Sequence, residues 1–197
     1  MKKLLTLSLI LFGLTEVFSQ DPLQVKGNFS IDAQYYREDS AIAAVVPDEQ
    51  IALQGFGNII LTKGKFETGV RFETYLPAFV GYPAGAPWEG TGIGYRYAKY
   101  NGDKIEITVG NFYEQFGSGL VLRTWEDRGL GVDYALDGIR VVARPIDGIT
   151  IKGLYGKQRF NFNDGFQNGD GIVRGADVEF NLNQLLDSVI NFKGQWT

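Results

Sequence analysis

A period of two in residue polarity limits this chain more than any other feature. Val25, Gly27, Phe29, Ile31, Ala33 and Tyr35 fall on one face of an extended chain, and Lys26, Asn28, Ser30, Asp32 and Gln34 on the other. Successive side chains of a strand point to opposite faces, so the run reads as one long strand. Residues 65–76 repeat it, with Phe66, Thr68, Val70 and Phe72 set against Lys65, Glu67, Arg71 and Glu73. The same reading predicts further strands over 51–62, 93–100, 104–113, 138–143, 149–157 and 172–182, and a ninth starting near Ser188. No segment beyond the N-terminal stretch sustains the 3.6-residue apolar period of a helix. The chain is expected to be all-β.

The connections narrow the choice among β folds. Lys63-Gly64, Asn101-Gly102-Asp103, Pro145-Ile146-Asp147-Gly148 and residues 183–187 read as tight turns, where Asn-Gly and Asp-Gly supply the positive φ that hairpins need. Between them lie long connections at 38–50, 77–92, 114–137 and 158–171. Strands of about ten residues, with short turns at one end and long loops at the other, describe an antiparallel transmembrane β-barrel. A soluble sandwich has shorter strands and no such rhythm, and it seldom carries charges such as Glu67, Arg71, Glu73, Arg140 and Arg144 in or beside its strands. A secreted, carbohydrate-binding sandwich is the soluble alternative.

The N-terminus agrees with export. Lys2 and Lys3 precede an apolar run from Leu4 to Leu14, and Val17 and Ser19 suit a cleavage site before Gln20 or Asp21. Residues 1–19 therefore read as a signal peptide and 20–197 as one barrel domain. The run is shorter than the roughly 20 residues a helix needs to span a bilayer. With the short turns periplasmic, the ninth strand ends outside without a partner, whereas bacterial single-chain barrels have an even strand count. The expectation is an N-terminal part, of eight or nine strands, of a larger barrel.

The chain has no cysteine and no histidine. Disulfides, Ser-His-Asp triads and His-ligated zinc are therefore excluded within these residues. Gly117-Ser118-Gly119 is not the strand-to-helix nucleophile motif. No enzymatic activity, cofactor or metal is expected. A net charge of −4 without a basic run argues against nucleic acid.

The polar face of the strands supplies the candidate lumen lining: Lys26, Asp32, Glu67, Arg71, Glu73, Arg96, Lys104, Glu106, Arg140, Arg144, Lys152, Asp177 and Glu179. Glu67 or Glu73 is a candidate partner for Arg96 on the neighbouring strand. Such a set serves as a salt-bridge network within the wall, as a charged pore lining, or as both. Phe79, Tyr82 and Trp88 offer rings for stacking on a sugar or for packing in an outer loop. Asp164 and Asp170, among Asn161, Asn163 and Asn168, compose either a solvated turn or an oxygen-rich calcium loop without EF-hand spacing.

The densest stretch is GNFYEQFGSGLVLRTWEDRGLGVDYALDG, residues 110–138. Its Arg123, Glu126, Asp127 and Arg128 are candidates for a constriction loop folded into the lumen. The segment resembles a family of uncharacterised Bacteroidota outer-membrane proteins, through Tyr113, Phe116, Gly117, Gly119, Leu120, Glu126, Arg128, Leu130, Gly131, Asp133 and Gly138. The resemblance implies a longer barrel in the cell outer membrane and no particular activity. Taken together, the expected role is porin-like passage of small polar solutes. The alternative is an accessory barrel in a secretion or assembly complex. The expected partners are outer-membrane lipid, and either small polar solutes or other envelope proteins.

Overall fold

The computed structural model describes residues 21–82 and 88–186. Alternating residues build β1 (Gln24–Tyr35), β2 (Ile51–Lys63), β3 (Phe66–Tyr75), β4 (Trp88–Asn101), β5 (Ile105–Phe112), β8 (Leu136–Ala143), β9 (Ile149–Asn163) and β10 (Phe166–Phe180). These eight form one antiparallel sheet in the order β1-β2-β3-β4-β5-β8-β9-β10. The two-residue strands β6 (Glu126–Asp127) and β7 (Val132–Asp133) pair only with each other, inside the long β5–β8 connection. The all-β expectation is met. The sheet is open, with β1 and β10 at its edges, and a helical turn at 182–186 follows β10. The signal peptide and the ninth strand fall outside the described residues.

The sheet curls until the start of β4 meets the end of β9, where Trp88↔Phe162 and Glu89↔Asn163 pair in parallel. One face becomes concave, and the alternation decides what it holds. On β3, Arg71, Glu73 and Tyr75 are buried inside, while Phe66 and Phe72 stand exposed on the opposite face. The β2–β3, β4–β5 and β8–β9 turns gather at one end of the strands, where Lys65 reaches Asp103 at 3.0 Å and Lys104 Nζ donates to the Pro145 carbonyl. At the other end the connections 36–50, 76–82 and 113–135 interlock. The Tyr82 hydroxyl, for example, lies within hydrogen-bond reach of both the Gln54 side chain and the Arg128 carbonyl.

Two local expectations fail, each for a backbone reason. The 158–171 connection is not a loop. Asp164 (φ 49°) and Gly165 (φ 147°) form a two-residue turn, so β9 and β10 run on to meet there. Asp164 instead accepts from the Thr91 N–H at 3.1 Å, and Asp170 lies on β10, so these carboxylates gather no cation site. The second failure is the facing of β4. A bulge between Arg71 and Phe72 of β3, opposite Tyr95 and Ile93, adds one residue to β4. An added residue reverses which face the following side chains take. Tyr95, Tyr97 and Lys99 therefore point inward and Arg96 outward.

Gly94 sits in this bulge, where a Cβ would overlap the Glu73 carboxylate. Gly94→Ala is expected to destabilise the fold by about 2–4 kcal/mol, the cost typical of displacing a buried charged partner. Urea unfolding of the refolded protein in detergent, compared with Gly153→Ala, where nothing lies within 4 Å of the added methyl, measures it.

Candidate functional site

Two arginines organise the concave face. The Arg159 side chain, fully buried on β9, donates from Nη2 to Glu73 Oε2 at 2.6 Å and from Nη1 to Asp133 Oδ2 at 2.6 Å. Its guanidinium also lies 4.5 Å from the centre of the Trp88 ring. Arg71 donates to Glu73 at 2.7 Å, to Glu126 at 3.0 Å and to Asp133 at 3.0 Å. The Tyr75 hydroxyl completes the shell of Glu73, and the Tyr113 hydroxyl and the Ala135 N–H complete that of Asp133. Arg128 adds a bond to Glu126 at 3.0 Å and stacks over Phe56. Three guanidiniums thus face three carboxylates, and the cluster is neutral as a whole.

Glu126, Arg128 and Asp133 all belong to the 113–135 connection, so this network fastens that loop to the inner wall. A second network fastens its beginning. Glu114 takes Arg140 of β8 and Lys152 of β9, the latter at 3.6 Å, and Arg140 also takes Glu106 of β5. Lys152 continues to Glu179 at 2.7 Å, and the Gly117 N–H donates to Asp177. Apolar contacts finish the docking. Phe116 joins Phe112, Leu136 and Leu154 in one cluster, while Phe56, Tyr75, Trp88 and Phe162 form another beneath Tyr82. The two ends of the loop are thus held against the inner face of the sheet, while its tip at Leu120 and Val121 stands exposed.

β2–β5, with Tyr113 and Arg140, line a cavity of about 480 Å³. Tyr95, Tyr97 and Tyr113 contribute rings to its wall, and Lys99, Glu106 and Arg140 contribute charges. Tyr95 and Tyr113 stack at 5.6 Å. Burial, and then the neighbouring Asp133 and Glu126 carboxylates, raise the pKa of the Tyr113 hydroxyl above that of a free phenol.

The structure separates the predicted lining residues. Glu67, Arg71, Glu73, Glu106, Arg140, Lys152, Asp177 and Glu179 face the interior. Lys26 and Asp32 share the inner parity of β1 but are exposed on that edge strand. Arg96 does not line the interior: on the outer face it is half-exposed and bonds Asp137 at 3.6 Å. The partners proposed for Arg96 pair elsewhere, Glu67 with the Tyr97 hydroxyl and Glu73 with Arg71 and Arg159. Lys104 and Arg144 lie beyond the strand ends at the short turns and are not lumenal. In the constriction set, Glu126 and Arg128 enter the buried network. Asp127 caps the Leu130 N–H, and Arg123 lies near the Trp125 ring without reaching the network. Trp88 and Tyr82 pack in the aromatic cluster, so the 77–92 connection does not present them together as a sugar platform. Sequence reasoning missed Arg159, Glu114 and Asp133. Asp133 lay in the distinctive L-G-x-D segment, whereas Arg159 lay in a stretch read as loop.

Fold and site together define an all-β protein whose single antiparallel sheet wraps a loop held by buried ion pairs. The chain belongs to the family of unknown function DUF6029, whose model matches residues 1–194. No curated protein and no solved structure matches it.

Glu73→Gln leaves Arg159 and Arg71 short of a buried counter-charge, and a loss of about 3–5 kcal/mol in unfolding free energy is expected. Asp103→Ala, which breaks the exposed pair with Lys65, is expected to leave the midpoint of the same urea titration nearly unchanged. Burial of the Tyr82 phenol pushes its pKa up to about 12, against 10 for the free group. The folded state thus keeps a proton that the unfolded chain gives up. This contribution is full below pH 10 and is lost as the pH rises towards 12. Tyr82→Phe is expected to flatten that part of the stability–pH curve, measured by urea midpoints from pH 9 to 12.

Proposed function

We propose that this chain forms part of a β-barrel of the bacterial outer membrane that passes small polar solutes, with the 113–135 loop as its internal plug. One observation carries the reading: each of the eight long strands leaves apolar residues exposed on the outer face of the sheet, and most of the charged side chains fall on the inner one. Phe29 of β1 is 72% exposed, and Phe72, Val109, Ile139, Tyr155 and Val178 stand exposed on five further strands. A soluble protein rarely leaves so continuous an apolar surface uncovered, whereas lipid covers it in a barrel. Six of the eight strands have 10 to 15 residues, enough to cross when tilted, which takes about 9–11; β5 and β8 have 8. Among the described residues no helix is long and apolar enough to do so.

Backbone groups in lipid must all be paired. The free edges of β1 and β10 therefore call for additional strands to close the wall. A single continuous sheet supports this arrangement over a carbohydrate-binding sandwich, which needs two stacked sheets. The accessory-barrel reading draws on a different observation, the anchoring of the plug through both ion networks, which suits a barrel kept shut.

Two measurements decide. The refolded full-length protein is expected to migrate differently in detergent gels before and after boiling, and identical migration would count against a barrel. In planar bilayers, deletion of residues 117–129 is expected to raise conductance several-fold over the intact protein. A heat-modifiable protein that carries no current even after the deletion would leave the accessory role and end the passage reading.

A further inference from the structure

One carboxylate at the cavity wall has no counter-charge. Of the charged side chains lining the cavity, Arg71, Lys99, Glu106 and Arg140 belong to the two ion networks. In the first, Arg71, Arg128 and Arg159 meet Glu73, Glu126 and Asp133. In the second, Lys99, Arg140 and Lys152 meet Glu106, Glu114 and Glu179. Each sets three positive charges against three negative ones and is neutral as a whole. Glu67 of β3 lines the same cavity and belongs to neither. Lys99 stands across from it on β4 but bonds Glu106 at 3.3 Å. Among the described residues, Glu67 is left as the unbalanced charge of this wall.

A tyrosine ring lies beside that charge, and a glycine makes room for it. Gly69 of β3 is opposite Tyr97 of β4, and a Cβ at Gly69 would overlap the ring. The missing side chain lets the ring lie over the β3 backbone, where its hydroxyl donates to Glu67 Oε1 at 2.7 Å. The second carboxylate oxygen keeps acceptor capacity. Glu67 and Tyr97 are both half-buried, so each presents surface to the cavity. A ring face attracts positive charge, and the neighbouring Tyr95 shows the effect, with the Arg71 guanidinium 5.1 Å from its centre.

These groups define the occupant. A carboxylate without a partner calls for a cation, and the adjoining ring calls for one clad in carbon. A bare metal ion needs several oxygen ligands, and no group of three or more acidic side chains that could hold one occurs among the described residues. About 480 Å³ falls in the size range of small-molecule pockets. The other lining carboxylate, Glu106, is held by two cations, so few acceptors remain for an ion with several N–H groups. An alkylated ammonium has fewer such donors to satisfy.

We propose that this cavity binds a small alkylated ammonium ion, with its charge against the Glu67 carboxylate and its carbon substituents against the Tyr97 ring. The proposal gives the passage reading a solute class and rests on that reading for how the ion arrives. Binding and conductance are measured separately, so binding without current leaves the site standing and removes passage alone.

Isothermal titration of the intact refolded protein tests it, with choline as the cationic probe, dimethylbutanol as its uncharged isostere and glutamate as an anion. Saturable binding of choline is expected, with binding of the other two weaker by about tenfold or more. Glu67→Gln keeps the side-chain shape and an oxygen for the Tyr97 hydroxyl while removing the charge. It is expected to weaken choline binding about tenfold or more, whereas a purely structural Glu67 would leave the affinity unchanged. Should that variant not refold, Tyr97→Leu reads the contribution of the ring, with a loss of the same size expected. Absence of choline binding, equal binding of the isostere, preference for glutamate, or unchanged affinity in a folded variant would overturn the proposal.

Discussion

The Arg159 guanidinium can stay buried only because Glu73 and Asp133 meet it, and the rest of the molecule is arranged to make that meeting possible. A charge removed from water is tolerated when opposite charges and hydrogen bonds replace the lost hydration. Here the replacement comes from three separate parts of the chain. Glu73 lies on β3, Asp133 on the short β7 within the long loop, and Arg159 near the far end of β9. The loop must fold inward, β9 must extend past its expected end, and β4 must carry glycine at position 94 to leave room. Each requirement is visible in the backbone.

Placing charge inside forces the apolar half of each strand outward. In a soluble domain the roles of the two faces are reversed, and the core supplies the driving force for folding. Among the described residues the inner face carries two small apolar clusters, one under the 76–82 connection and one where the 113–135 loop packs down. Most of its large apolar side chains stand outside. On the proposed reading, lipid is the low-dielectric environment that covers this apolar face. The same logic governs the plug. Its anchoring ion pairs are largely withdrawn from solvent, so ordinary salt screens them weakly. Leaving its place would strip Arg71 and Arg159 of Asp133, and Arg71 of Glu126 as well. Opening thus demands that water take over those contacts.

Much of this was legible in the chain, and the failures were specific. β1 and β3 followed from alternation, because one polarity switch per residue has only one extended solution. Glu126 and Arg128 were recognised as part of an inward loop from their density beside the glycines of 117–131. Arg96 was misplaced because a bulge adds a residue without leaving a signature in polarity, and everything after it changes face. Arg159 was missed because asparagines and glycines made 158–171 look like a loop. The Phe160-Asn161-Phe162-Asn163 alternation and the Asp164-Gly165 pair were in fact the marks of a hairpin. Glu67 was placed on the inner face, but its lack of a counter-charge was unreadable in advance, since pairing is a property of its surroundings and not of its neighbours in sequence.

The central claim is that the sheet is inside-out, with its apolar face in lipid and its polar face around the plug. Nitroxide labels on single cysteines placed in turn from 66 to 73 of β3, in the protein reconstituted into vesicles, test it most directly. Collision with lipid-dissolved oxygen is predicted to peak at 66, 68, 70 and 72 and to fall at 67, 69, 71 and 73. Equal access of a water-soluble nickel chelate to both sets, or a peak of oxygen at the odd positions, would contradict it.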